Sequence, residues 1–252
     1  GADIENLVNE AAILAARRNK KVITQEEFEE SIERVIAGPE RKSRLISAEE
    51  KRIIAYHEAG HAVVMNALPE ADPVQKITIV SRGMAGGYTL SRPAEDRILM
   101  SRQKLIAEMI SLLGGRAAEE LVFDDITSGA SNDIERVTQM ARTMVTRLGM
   151  SEEMGPMVYG QKEELIFLGR EISEQRDYSE AVAQKIDAQV RTLVSEAHQQ
   201  AKALLTQYRA ELDGVAELLL EKETITREEF EAVFPTPQPK HSGTPVMLAA
   251  NN

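Results

Sequence analysis

One short motif constrains this chain more than any other feature: the segment His57-Glu58-Ala59-Gly60-His61 reads H-E-x-x-H inside an apolar stretch. Residues four positions apart lie one above the other on a helix, with Cβ atoms about 5–6 Å apart. Two imidazoles in this arrangement can bind one metal ion, and Glu58 can reach a water molecule beside that ion. The motif therefore predicts a helix with two zinc ligands and a general base. The alternative is a pair of hydrogen-bonded core histidines.

The residues around the motif predict the extent of its helix. Ser47 followed by Glu50 is typical of a capping box, and Pro69 ends the helical pattern. We therefore expect a helix over about 48–68, with the motif near its middle. Gly60 is unusual there, because a mid-helix glycine costs roughly 1 kcal/mol relative to alanine. We expect it to make room for another segment close to the metal.

Composition limits the kinds of site and partner. The chain has 252 residues, no cysteine and a formal net charge of −11. Without thiolates, a zinc site must use histidine and carboxylate ligands. The negative charge argues against nucleic acid and anionic membrane surfaces as direct partners. No run of 18 apolar residues occurs, so we expect this segment to be soluble and not to insert directly into a membrane.

The chain divides into four parts. Residues 1–37 carry two amphipathic helical patterns, and residues 38–46 have the basic, Gly- and Pro-containing composition of a linker. Residues 47–234 form the main domain. Residues 235–252 contain four prolines, and we expect them to be disordered.

The main domain is predicted to be mainly α, with one small β-hairpin. Residues 76–80 and 88–90 are β-rich on either side of a Gly-rich turn. Residues 152–176 show no regular pattern. The other helical patterns are 102–122 with an interruption at Gly114-Gly115, a helix from Asn132 to Gly149, a long pattern over 178–220 with a break near 212–214, and a short helix starting at Thr226.

A catalytic zinc ion needs a third protein ligand. The remaining histidines are His198, in a polar helical stretch where we expect solvent exposure, and His241, in the Pro-rich tail. The third ligand is therefore expected to be a carboxylate. Two candidates are equal on these grounds: Glu119, near the apolar side of its helix, and Asp133, at a helix start after a Ser- and Gly-containing loop. Glu119 could instead be solvated, and Asp133 could simply favour the helix dipole.

Several motifs taken together resemble the FtsH family of membrane-anchored AAA+ zinc proteases. They are residues 57–61, 114–120, 127–134, 148–151 and 223–226, together with the opening segment 1–12. The resemblance extends from residue 1 to about residue 234. It implies a helical zinc-peptidase domain in which His57, His61 and Asp133 bind one Zn²⁺ and Glu58 is the general base. It also implies that Glu119 is a neighbouring acid that orients a ligand histidine.

The resemblance further implies the setting of this domain. Residues 1–37 resemble the end of the helical AAA+ lid, but no G-x-x-x-x-G-K-[ST] loop occurs in the sequence. ATP and Mg²⁺ would therefore act only through an ATPase core outside this sequence, and transmembrane helices would precede residue 1. Members of this family are homohexamers that degrade unfolded proteins and membrane proteins. The resemblance implies that the protease domain lies on the cytoplasmic, stromal or matrix side of the membrane.

Residues 86–90 are a candidate substrate-binding segment. An unpaired strand edge would hold an unfolded chain through main-chain hydrogen bonds, with Gly86, Gly87, Tyr88 and Thr89 as candidate contacts. Alternatively, Gly86-Gly87 is only the turn of the hairpin. Two other functions remain possible on the sequence: a stand-alone zinc peptidase without an ATPase, and a helical assembly module whose metal site is structural and inactive.

Overall fold

The computed structural model describes residues 2–38, 46–81, 86–92, 99–162, 174–175 and 178–234. Most of the predicted linker, the middle of the hairpin turn and the predicted disordered tail with His241 lie outside these ranges. Across the described ranges, none of the helices is both long and apolar enough to span a bilayer.

The described chain is mainly helical, as predicted. Its helices are α1 (Ala2–Arg17), α2 (Gln25–Ala37), α3 (Ala48–Ala67), α4 (Arg102–Leu112), α5 (Gly114–Phe123), α6 (Ser131–Thr146), α7 (Glu180–Gln207), α8 (Arg209–Lys222) and α9 (Arg227–Glu231), with a 3₁₀ turn at Ser128–Ala130. Its strands are β1 (Val74–Thr78), β2 (Tyr88–Ser91), β3 (Gln161–Lys162), β4 (Glu174–Gln175) and β5 (Thr224–Thr226).

Helix α3 is the centre of the fold. It begins where the sequence predicts, because the hydroxyl of Ser47 accepts a hydrogen bond from the backbone N–H of Glu50 at 3.1 Å. The helix is buried almost continuously from Ala55 to Val64, and helices α4, α5, α7 and α8 and strand β1 pack around it. The H-E-x-x-H motif therefore lies inside the protein, surrounded by neighbours that can bring further side chains to it.

A three-stranded antiparallel sheet lies against α3, in the order β2-β1-β5. The predicted hairpin of β1 and β2 is confirmed, with Ile77 opposite Thr89. Ile77 also pairs with Ile225 of β5, a strand that the sequence analysis missed. Its segment is three residues long and ends at Thr226, which is also the N-cap of α9. The sequence analysis assigned Thr226 to the start of a helix, and the short strand that ends at the same residue was therefore missed.

The two-residue ladder of β3 and β4 lies within the segment that was expected to have no regular structure. That expectation is therefore wrong at this point.

Two predicted helix boundaries are wrong. The long pattern over 178–220 breaks at Tyr208 and not near 212–214, because Leu212 is fully buried and Gly214 lies within α8. Helix α6 begins at Ser131, directly after the 3₁₀ turn, and is not capped by Asn132. The predicted interruption at Gly114-Gly115 is confirmed, since α4 ends at Leu112 and α5 begins at Gly114.

Helices α1 and α2 form a hairpin whose packing includes a buried carboxylate. Glu27, which has no exposed surface, accepts hydrogen bonds from Lys20 Nζ at 2.6 Å, Thr24 Oγ1 at 2.6 Å and Arg18 Nη1 at 2.9 Å. These bonds hold the pKa of Glu27 well below its ordinary value of 4.5, with Lys20 and Thr24 the largest causes. The carboxylate therefore stays charged, and its hydrogen bonds connect the first turn of α2 to the segment that follows α1.

Candidate metal centre

The two motif histidines meet at their Nε2 atoms. His57 Nε2 lies 3.0 Å from His61 Nε2, and both side chains are buried. Asp133, from the first turn of α6, brings its Oδ2 atom to 3.4 Å from His57 Nε2 and 3.5 Å from His61 Nε2. The three residues each offer one ligand atom within 4.8 Å of the others. Two imidazole nitrogens and one carboxylate oxygen are a donor set that zinc accepts.

The other ring nitrogen of each histidine has its own partner. His57 Nδ1 lies 2.7 Å from Glu119 Oε1, and His61 Nδ1 lies 2.8 Å from the carbonyl oxygen of Ser111. In the neutral imidazole, a carboxylate or carbonyl acceptor at Nδ1 places the single proton there and leaves Nε2 free to bind a metal ion. The structure thus places Asp133 beside the Nε2 atoms and Glu119 behind one of the rings.

Glu119 also joins the site to the loop before α6. Its second oxygen accepts a hydrogen bond from the backbone N–H of Thr127 at 2.7 Å, and the residue is only 1% exposed. Burial raises the pKa of Glu119, but the bonds to His57 and Thr127 outweigh this effect and hold the pKa below its ordinary value. Glu119 is therefore a charged, fixed acceptor that aligns both the ring of His57 and the loop that leads to Asp133.

The pocket stabilises positive charge where the Nε2 atoms meet. Burial lowers the pKa of His57, yet hydrogen bonds to Asp133 and Glu119 raise it to about 10. Burial likewise opposes the ionisation of Asp133, but its bonds to His57 and His61 hold its pKa below the ordinary value. A buried site that favours a cation and offers one oxygen and two nitrogen donors fits a divalent zinc ion.

Glycines allow the backbone of α5 to approach the motif. A Cβ on Gly60 would lie 2.5 Å from the carbonyl oxygen of Gly114, and a Cβ on Gly114 would lie 2.6 Å from that of Gly60. A Cβ on Gly115 would lie 2.5 Å from Cε1 and Nε2 of His57. The expectation that Gly60 makes room for another segment near the site is confirmed, and that segment is the start of α5.

Glu58 lines the same cleft as His57, His61 and Asp133 and reaches the sheet. Its Oε2 accepts a hydrogen bond from Thr89 Oγ1 of β2 at 2.8 Å. Its side chain is 6% exposed, and this burial raises the pKa of its carboxyl group. A carboxylate with a raised pKa is a stronger base than a solvated one.

A cleft runs past these groups. It is lined by His57, Glu58, Asp133 and the loop at 127–129, and on the other side by Gly86, Gly87 and Tyr88. The four predicted substrate-contact residues thus lie at or beside the cleft, since Thr89 contacts Glu58 directly. Their role in binding substrate stays a prediction.

Two contacts were not predicted. The carbonyl of Ser111 is a backbone group and leaves no signal in the sequence. The backbone N–H of Thr127 is also a main-chain group that side-chain patterns do not reveal, although the 127–134 segment does stand out as a motif.

The expectation that His198 is solvent-exposed is wrong. Helix α7 packs against α5 and leaves the side chain of His198 only 25% exposed, with its Nε2 atom 3.3 Å from Glu120 Oε1.

Comparison with known proteins now identifies the family. The model of peptidase family M41 matches residues 44–233. The chain belongs to peptidase family M41. A second model, of the AAA+ lid domain, matches residues 1–30. The predicted resemblance to the FtsH family and the mainly α fold with a small sheet are both confirmed. The predicted domain boundaries stay a prediction.

Similar family members are named ATP-dependent zinc metalloproteases. The chain is 56% identical over 252 residues to FtsH 1 of Thermomicrobium roseum, covering 99% of this chain and 39% of that protein. It is 57% identical over 235 residues to FtsH of Thermotoga maritima, covering 93% of this chain and 38% of that protein. The M41 chain described here thus spans about two fifths of the length of these relatives.

Proposed function

We propose that this chain is the proteolytic part of an ATP-dependent zinc metalloprotease and hydrolyses peptide bonds in unfolded polypeptides. One observation carries the proposal: a buried glutamate, Glu58, adjoins two histidines whose Nε2 atoms meet a carboxylate oxygen of Asp133. A purely structural metal site has no use for a base beside its ligands. Membership of family M41 and the names of the similar proteases support the same conclusion.

In this proposal, His57, His61 and Asp133 hold one Zn²⁺ ion. The chain contains no cysteine, so histidine and carboxylate are the ligands available for zinc. Three protein ligands leave one position open, as a catalytic site requires. When bound, zinc supplies Lewis acidity, which lowers the pKa of a water molecule and polarises the scissile carbonyl group.

The protein's own residues then move the proton and hold the geometry. Glu58 accepts the proton of the attacking water and delivers it to the leaving amine. The hydroxyl of Thr89 orients the carboxylate of Glu58 from the β2 side. Glu119 and the carbonyl of Ser111 hold the two imidazoles by their Nδ1 atoms, so that neither ring can rotate away from the cleft.

We further propose that the substrate binds along β2. Among the described residues, β2 pairs with β1 on one side and has no strand partner on the other. An extended polypeptide can add to such an edge through main-chain hydrogen bonds, which give little sequence selectivity. Gly86, Gly87, Tyr88 and Thr89 would provide this edge, next to Glu58, against which Gly87 and Thr89 lie.

The proposal that the substrate binds along β2 can be tested with substrate peptides whose backbone is modified. N-methylation removes a main-chain donor while keeping the side chain. We expect methylation at alternate residues near the scissile bond to raise KM strongly, because an added strand uses alternate N–H groups toward its neighbour. Equal effects at every position, or none, would refute strand addition.

The remaining proposals concern the longer protein. The AAA+ lid match and the ATP-dependent relatives support an ATPase core that supplies ATP and Mg²⁺ dependence. The resemblance to the FtsH family supports a membrane-anchored homohexamer whose protease domain faces the cytoplasm, stroma or matrix. Its substrates would be unfolded proteins and membrane proteins threaded to this site.

The first experiment is metal analysis by mass spectrometry of the wild type, Asp133→Ala and Glu135→Ala. Glu135 is an exposed acid on the same helix and serves as the control. We expect about one zinc per chain in the wild type and the control, and strong loss in Asp133→Ala. Zinc retained in Asp133→Ala would exclude Asp133 as a ligand.

A peptidase assay of Glu58→Gln separates catalysis from metal binding. We expect this variant to keep its zinc and to lose activity by at least about a hundredfold, as removal of a general base does. Full activity in Glu58→Gln would exclude its role as base. A zinc-loaded wild type that cleaves no unfolded peptide would favour the inactive assembly module.

A further inference from the structure

Thr89 of β2 and Gly87, the residue before the strand, contact the side chain of Glu58. Thr89 Oγ1 donates to Glu58 Oε2 at 2.8 Å and lies 3.2 Å from the backbone oxygen of Glu58. Gly87 packs against the same side chain, since a Cβ there would lie 3.0 Å from Glu58 Cγ and 3.1 Å from Oε1. Small movements of this strand therefore change where the carboxylate of Glu58 can lie.

Tyr88, between these two residues, points to the opposite face of the sheet, because side chains alternate along a strand. Its hydroxyl donates a hydrogen bond to Glu33 Oε2 at 2.7 Å. Lys76 of β1 reaches the same carboxylate, with Nζ at 2.7 Å from Oε1 and 3.0 Å from Oε2. Glu33 belongs to α2, so one carboxylate joins the α1–α2 hairpin to both strands of the β-hairpin.

This connection is stiff for a physical reason. Glu33 is only 7% exposed, and a buried carboxylate that loses its partners is left desolvated and uncompensated. Hydrogen bonds to a charged group are also stronger than neutral ones. A displacement of α2 relative to the sheet would therefore pull on Tyr88 and, through the backbone, on Gly87 and Thr89.

We propose that Glu33 is a positioning residue for Glu58, acting through Tyr88 and strand β2. The inference rests on the proposed role of Glu58 as general base. Its consequence is that a displacement of α2 changes the rate of peptide hydrolysis without any change at the metal ligands. The AAA+ lid model matches residues 1–30 of the same helical hairpin, and Glu33 follows this match on α2, so the contact would connect the lid to the proteolytic site.

The test compares Glu33→Gln with Glu29→Gln in the zinc-loaded protein, on a short unfolded peptide that needs no unfolding. Glu29 lies on the same helix, is exposed, and accepts a hydrogen bond from Gln25. We expect Glu33→Gln to lower kcat by about twofold to tenfold, the range expected for one hydrogen bond, with zinc content unchanged. Glu29→Gln should leave kcat unchanged. Tyr88→Phe should lower kcat in the same way and keeps the aromatic ring in place.

A double-mutant cycle distinguishes positioning from general destabilisation. If Glu33 acts through β2 on Glu58, its substitution should have a smaller effect on kcat in a Thr89→Val background, where the contact with Glu58 is already lost. An effect of equal size in both backgrounds, or an unchanged kcat in both Glu33→Gln and Tyr88→Phe, would overturn the inference. The proposed function would survive that result if Glu58→Gln still abolished cleavage, and would fail separately if Glu58→Gln were fully active.

Discussion

A carboxylate oxygen of Glu119 lies 2.7 Å from Nδ1 of His57, the ring nitrogen that does not face Asp133. We expect Glu119→Gln to weaken zinc binding by about tenfold to a hundredfold, as loss of a charged partner behind a ligand histidine does. Competition with a chelator measures this affinity. Activity should return at higher free zinc, because the ligands themselves remain.

Glu120→Gln is the matched control for this prediction. Glu120 is the next residue on α5, and its side chain contacts Arg116 and Lys202 rather than the motif histidines. The zinc affinity of the Glu120→Gln variant should equal that of the wild type. Equal weakening in both variants would show that the effect comes from loss of negative charge on α5 and not from the contact with His57.

The contact between Gly60 and Gly114 predicts a packing defect. A Cβ at position 60 would lie 2.5 Å from the carbonyl oxygen of Gly114 and 2.7 Å from Cβ of Ala118. We expect Gly60→Ala to destabilise the fold by about 1–3 kcal/mol through overpacking, although alanine favours helix. Thermal unfolding measures the change.

Gly214→Ala provides the comparison in α8. A Cβ there would meet Cγ1 of Val233 at 3.1 Å, and a side-chain methyl group can shift where a backbone carbonyl cannot. Its melting temperature should stay close to that of the wild type. If Gly60→Ala were equally harmless, the close backbone contact between α3 and α5 would not exist.

Zinc binding is expected to stabilise the fold. A ligand that binds only the folded state stabilises it by about 2.7 kcal/mol at a hundredfold excess over Kd. Thermal unfolding with added zinc and with a chelator should show this difference in the wild type. In Asp133→Ala, the shift at the same zinc concentration should largely disappear. A shift of wild-type size in that variant would place the metal elsewhere.

The buried carboxylate of Glu27 predicts how stability depends on pH. Its pKa is held below the ordinary value of 4.5 by Lys20 and Thr24, so the unfolded chain binds a proton before the folded chain does. Its contribution is therefore fully present above about pH 5 and is lost as the pH falls through the folded-state pKa. The measurement is thermal unfolding of the wild type and Glu27→Gln between pH 7 and pH 3. The difference between them should narrow below about pH 4.5, and a constant difference would contradict this assignment.

Much of this protein could be predicted from local sequence patterns. Helix α3 follows from the Ser47 cap and from apolar periodicity, and the pairing of His57 with His61 follows from their spacing on any helix. The hairpin of β1 and β2 follows from two β-rich segments around a glycine-rich turn. Each of these features depends on residues a few positions apart, so the sequence alone carries the information.

The sequence by itself determined the helix and the two histidines and glutamate of its motif, and the absence of cysteine left histidine and carboxylate as the side chains that could complete a zinc site. Residue patterns left Glu119 and Asp133 as equal candidates and the family resemblance implied Asp133, but only the tertiary structure decided where each carboxylate lies. It brings Asp133 to the Nε2 atoms of His57 and His61 and Glu119 to Nδ1 of His57, because α5 approaches α3 at Gly60 and Gly114 and the first turn of α6 reaches the same site. The carbonyl of Ser111, the third strand at Thr224–Thr226 and the contact between Glu33 and Tyr88 likewise depend on packing between distant segments. Local patterns cannot specify such contacts, because the free energy that selects them comes from how whole elements fit together.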